Sequence, residues 1–170
     1  MESNTNWGNV EQTLFARYSG ICRSFRLLVH GQLWASDRAS HALGMELVTI
    51  APGAATLAMT VGPDMTNGHD TAHGGFIFAL ADSAFAFACN SYGDRAVAAH
   101  CSISYIKPAR RGDRLIATAR EVSRSGRSGI YDIKVESNGL TIAEFRGHSR
   151  MIGGSLIEPN DANAKNVKQK

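Results

Sequence analysis

Asp82 is an acidic side chain set in a run that has almost no other polar group. It falls within Gly74–Asn90, GGFIFALADSAFAFACN, where only Asp82 and Ser83 interrupt an alanine- and phenylalanine-rich stretch. At helical spacing its neighbours three and four residues away are Phe78, Ala79, Phe85 and Ala86. An ionised carboxylate in such a surface is costly unless a group pairs with it or water reaches it. Two readings follow: a structural Asp bonded to a backbone group, or a general base that activates water. The residues just before the run bear on the choice. In Asn67-Gly-His-Asp-Thr-Ala-His73-Gly74-Gly75 the two glycines let the chain turn into a helix and let a ligand approach the backbone closely. The unpaired N–H groups and the positive end of the helix dipole then face whatever binds there. A thioester carbonyl becoming a tetrahedral oxyanion suits that position. A glycine-rich turn that only caps a helix is the plainer alternative. A His-Gly-Gly triplet with an Asp eight residues beyond its first glycine, inside a buried helix, is the more specific pattern.

Other chemistries have weaker support. The sequence holds no GxSxG elbow, no GxxxxGK phosphate loop and no GxGxxG. His69 and His73 are spaced HxxxH, but in a loop, so no metal site is expected. Cys22, Cys89 and Cys101 form no CxxC pair and read as buried thiols of a reducing cytoplasm. Cys89 and Cys101 lie in apolar context, as packing residues and not nucleophiles. The turn Ser123-Arg124-Ser125-Gly126-Arg127-Ser128-Gly129 offers backbone donors and two arginines, with Lys107, Arg110, Arg111 and Arg114 on the preceding turn. Together they could hold the phosphates of coenzyme A, or simply be solvated turn residues.

These groups need a scaffold. With 170 residues, 44% hydrophobic and 19% charged, the chain is long enough for one domain with a core. A net charge of +3 is too small to imply nucleic acid. No apolar run is long enough to span a membrane, and no basic stretch leads an apolar one at the N-terminus, so a cytoplasmic protein is expected. Residues 1–32 read as an extension of unassigned role, with glycines at 8, 20 and 31 breaking any longer pattern. Leu33–Leu43 is predicted helical, stopped at Gly44. Met45–Ile50 and Ala54–Val61 form a predicted hairpin about Pro52-Gly53. The run 74–90, apolar nearly all round, is a buried helix. Strands follow at Val97–Ile106, Arg114–Ser123, Gly129–Ser137 and Leu140–Met151, with Asn138-Gly139 a strong hairpin signal. Residues 155–170 are polar and read as a disordered tail. A hairpin, one long buried helix and an antiparallel meander imply an α+β domain, a hotdog fold with a curved antiparallel sheet around the helix, over residues 33–154.

Across that domain the sequence resembles the phenylacetyl-CoA thioesterases of the phenylacetate degradation pathway, in the hotdog-fold thioesterase superfamily. NGHDTAHGGFIFALADSAFAFACNSYG, SISYIKPARRGD, GIYDIKV and AEFRGHSRMIGG carry the resemblance. It implies hydrolysis of phenylacetyl-CoA or a hydroxyphenylacetyl-CoA with no cofactor. Asp82 would then activate or orient the water, and Gly74 would donate its N–H to the thioester carbonyl. Asn67 and His73 would position the group beside Gly75, and Ser83 would assist the water. Coenzyme A would meet Arg124, Ser125, Gly126, Arg127 and Ser128. The resemblance also implies a homodimer with shared sites, assembled into a homotetramer. The rivals are a hotdog enoyl-CoA hydratase or dehydratase, for which a second well-placed acid–base group is lacking, and a non-catalytic acyl-CoA-binding protein.

Overall fold

The computed structural model describes residues 31–156; the assignments made for residues 1–30 and 157–170 lie outside the described residues. The chain runs through short helices α1 (residues 31–36) and α2 (Arg38–Ala42), then strands β1 (Glu46–Ala51) and β2 (Ala54–Thr60). The long helix α3 (Gly74–Asn90) and strands β3 (Asp94–Tyr105), β4 (Arg114–Ser125), β5 (Ser128–Ser137) and β6 (Leu140–Ser155) complete it. The six strands form one antiparallel sheet in the order β1-β2-β4-β5-β6-β3. α3 contacts all six, so the sheet curls around the helix as the α+β hotdog reading expected.

The small residues of α3 explain the close wrap. Leu80, Ala81, Ala84 and Ala88 are wholly buried, so strand backbones come near the helix axis. Where a large ring must fit, the sheet gives way. Phe85 lies against Gly147 of β6, and a Cβ built at Gly147 would stand 2.7 Å from the ring. Phe85 also meets Tyr131 edge-on, with ring centroids 5.5 Å apart. Burying one such ring stabilises the fold by about 1.5–3 kcal/mol.

Two expectations need correction. The helix predicted over 33–43 breaks at Asp37, whose Oδ1 accepts from Ser40 N and so caps a new helix, α2. A short carboxylate competes with the helical backbone for that N–H. The meander is also interrupted: β4, β5 and β6 are successive neighbours, but β3 pairs with β6 at the far edge and not with β4. The two-residue turn at Asn138-Gly139, both at positive φ, forces adjacency of β5 and β6. The link from Ile106 to Asp113 is long enough to cross the sheet instead. Along it, Ile106 and Lys107 N–H groups donate to Ile142 O, Ala72 N–H donates to Ala109 O, and Gly112 N–H donates to Val61 O. That crossing lays β3 along one side of α3 and brings the 106–109 segment under the helix N-terminus. The strands also run longer than predicted, β3 starting at Asp94 and β6 ending at Ser155.

Candidate active site

The loop before α3 is built around Asn67. Its Oδ1 accepts from His69 N–H (2.9 Å), Thr71 N–H (3.3 Å) and Thr71 Oγ1 (3.1 Å), and Asp70 takes a left-handed φ of 56°. With its carbonyl oxygen fully used, Asn67 has only its Nδ2 hydrogens to offer outward. His73 is the helix cap: its Nδ1 accepts from Gly75 N–H at 3.0 Å, which puts the ring proton on Nε2. Phe76 N–H donates to His73 O. Gly74 N–H is thus left at the helix N-terminus with no acceptor among the described residues. Tyr105, at the end of β3, donates its hydroxyl to Gly74 O at 2.9 Å, and a Cβ on Gly74 would stand 2.9 Å from the Tyr105 ring. Asn67, Thr71, Gly74, Tyr105 and Lys107 line one groove of about 460 Å³.

Asp82 lies two turns along the helix in a different cleft of about 350 Å³, whose walls include Phe85, Ala86, Val97, Ala98 and Arg95. Burial holds its carboxyl above the ordinary carboxylate range, and a hydrogen bond from Cys101 works against that rise. The Cys101 thiol donates to Asp82 Oδ1 at 3.7 Å. Burial, then the nearby Asp82 charge, pushes Cys101 up to about 11 and Cys89 up to about 12. Both are therefore neutral thiols near neutral pH. Among the described residues no Lys, Arg or His forms an ion pair with Asp82, and no three His, Cys, Asp or Glu side chains converge to hold a metal. A half-buried, unpaired carboxylate in an apolar cleft is a poised proton acceptor.

The other expected site residues separate. Ser83 does not line the Asp82 cleft. Its hydroxyl lies 3.0 Å from Ser40 Oγ, which itself donates to Asp37 Oδ2 at 2.7 Å. Ser83 therefore donates to Ser40 and ties α2 to α3. In the β4–β5 turn, the Arg124 guanidinium stacks 3.9 Å from the Tyr92 ring centre and 4.0 Å from Asp94. Arg127 instead donates Nε and Nη2 to Met151 O, at 3.1 and 2.7 Å, which locks the turn to β6. Gly126 turns at a φ of 54°, and Ser125 and Ser128 line an open cleft with His100, His148 and Arg150. Of the basic residues on the other turn, Arg114 is taken by a bidentate pair with Glu46 at 2.8 Å.

Three contributors were missed from sequence. Cys101 and Tyr105 share a strand face by period two, which was visible, but not that this strand lies beside α3. Asn90 gave no signal: its side chain donates to Ala86 O and Ala96 O and accepts from Ala96 N–H, fixing the start of β3 to the helix end.

With this geometry in place, residues 69–143 match the thioesterase superfamily. The chain is 43% identical over 125 residues to the acyl-coenzyme A thioesterase PaaI of Escherichia coli K12, covering 73% of this chain and 89% of that protein. The solved E. coli PaaI from the phenylacetic acid degradation operon superposes with a TM-score of 0.74 at 39% identity, over 77% of this chain and 98% of that one. A Streptococcus mutans UA159 protein solved bound to acetyl CoA superposes with a TM-score of 0.63 at 26% identity, over 65% and 90%. Helix, sheet order, capped Gly74 and relatedness agree: the chain belongs to the hotdog-fold thioesterase superfamily of thioester hydrolases.

Proposed function

We propose that this chain hydrolyses phenylacetyl-CoA or a ring-hydroxylated relative, in a homodimer whose sites each combine Gly74 of one protomer with Asp82 of the other. The observation that carries this reading is the separation of the two halves: the Gly74 groove and the Asp82 cleft share no lining residue. Each alone is incomplete. The first has an unpaired N–H for an oxyanion and lacks a base; the second has a base in an apolar cleft and lacks an oxyanion donor. In the combined site, water attacks the thioester carbon as its proton passes to Asp82. The carbonyl oxygen gathers charge at Gly74 N–H. Collapse expels the coenzyme A thiolate, which regains a proton, and leaves the free acid. Asn67, His73 and Gly75 keep that N–H aimed outward. Two such dimers joined in a homotetramer, acting in the cytoplasm on an acyl-CoA and on neither nucleic acid nor membrane, complete the proposal.

Phe85, Ala86 and Val97 in the Asp82 cleft favour an aryl or other apolar acyl group over a polar one. Purified protein given phenylacetyl-CoA is expected to release free thiol, followed with a thiol reagent. No release from phenylacetyl-CoA or its ring-hydroxylated relatives would remove the aryl-acetyl substrate from the proposal.

Arg124 is the better candidate than Arg127 for a coenzyme A phosphate, because Arg127 already gives two of its five N–H donors to Met151 O. Arg124→Ala is expected to raise KM about 3- to 10-fold at low ionic strength with kcat little changed, the value of one screened charge contact. Added salt should shrink the difference. An unchanged KM would mark Arg124 as a turn residue held by Tyr92.

A further inference from the structure

We propose that Cys101 is a positioning residue for the base: its thiol holds Asp82 Oδ1, leaving Oδ2 as the oxygen that takes the proton from water. This rests on Asp82 being the base, as proposed above, and goes further by assigning the two carboxylate oxygens different roles. Sγ stands 3.7 Å from Oδ1, within reach of an S–H donor to an ionised carboxylate. The thiol arrives from β3, whose register is fixed by Cys101 facing Gly147 on β6, while Asp82 rides on α3. The contact therefore joins two elements and restrains the rotation of the carboxylate about its terminal torsion, which is otherwise broad.

The surroundings leave this task to Cys101. The titratable and charged groups near Asp82 are Cys101 and Arg95 from β3 and Cys89 from its own helix. Arg95 lines the same cleft but forms no ion pair with Asp82 among the described residues. Cys89 donates its thiol to Ala86 O at 3.4 Å and so is engaged elsewhere. Among the described residues, burial and the Cys101 hydrogen bond account for the shift of the Asp82 carboxyl. The Cys101 thiol stays protonated, at about 11, in part because the adjacent carboxylate disfavours a second negative charge. It can thus serve as a donor to the ionised Asp82 up to about pH 11.

The sign of the effect is fixed. A donor to the ionised form favours that form, so Cys101 opposes the rise that burial imposes on Asp82. Without the donor, the Asp82 carboxyl should titrate at higher pH. Cys101→Val keeps size and branching suited to a strand but removes the donor; Cys101→Ser keeps a donor on a shorter bond. For Cys101→Val, the acid limb of kcat/KM against pH is expected to move to higher pH, and kcat on the plateau to fall about 2- to 10-fold, the range for one lost hydrogen bond. KM should hold. Cys101→Ser should bring the acid limb back toward the parent. If folded Cys101→Val has the parent's acid limb, Cys101 is a packing residue and the proposal is wrong. If Cys101→Val and Cys101→Ser shift the profile equally, the effect is steric and the proposal also fails. Asp82→Asn run alongside separates the two claims: activity retained there removes Asp82 as the base, whatever the cysteine variants do.

Discussion

Asp82→Asn is expected to lower kcat about 100- to 10,000-fold, the usual cost of removing a general base, while the fold survives. The amide is nearly isosteric and can still accept from the Cys101 thiol through its carbonyl oxygen. The same variant should melt at a higher temperature than the parent at neutral pH. Burial raises the Asp82 carboxyl above its unfolded value, so the folded protein holds that proton more tightly than the unfolded chain does. Stability from this group is therefore fully present below the unfolded value of 3.8 and is lost as pH rises through the folded one. Asparagine carries no such term. The gain should be clear at neutral pH and fade in acid below 3.8. Rate and melting temperature together make a sharp pair of readings. Unchanged turnover in the folded variant would take Asp82 out of the mechanism, and a lower melting temperature would show that its carboxylate has a stabilising partner.

What was legible in the sequence was what local chemistry decides. The bounds of α3 follow from where an all-round apolar run begins after two glycines, and Asp82 stands out there because nothing beside it is polar but Ser83. The β5–β6 hairpin follows from Asn138-Gly139, which accepts positive φ at both positions. What was not legible depends on which distant segments meet. Ser83 was assigned to the water through the resemblance, which puts a hydroxyl at that position, but one residue along a helix turns its side chain about 100° from that of Asp82, toward Ser40. Cys101 looked like packing because it was read in an apolar context; its place beside α3 depends on a crossing that no turn motif announces. Arg127 shows the same limit, since nothing in its turn announces that two of its five N–H donors meet a carbonyl of β6.

On the proposed site, which draws Gly74 and Asp82 from different protomers, mixing two inactive variants is expected to restore activity. Eight residues of helix separate the two by about 12 Å along the axis, whereas water and carbonyl carbon must meet within about 3–3.5 Å. Two antiparallel helices related by a two-fold axis can set the Asp82 of one against the Gly74 of the other. One lesion is Asp82→Asn. The other removes the Gly74 N–H with proline, which suits the first position of a helix. Proline carries a Cβ, however, and that atom would stand 2.9 Å from the Tyr105 ring, so the variant to build is Gly74→Pro with Tyr105→Ala. In a mixed dimer one site then carries both lesions, and the other joins an intact Gly74, with its own Tyr105, to an intact Asp82. Random re-association of equal amounts gives about half mixed dimers with one working site each, or about a quarter of the unmutated protein's activity. A site contained in one protomer would carry a lesion in every copy, and no mixing would revive it. Differently tagged chains allow the mixed dimer to be purified, and circular dichroism checks that each parent variant is folded. Verified mixed dimers as inactive as both parents would rule out the shared site.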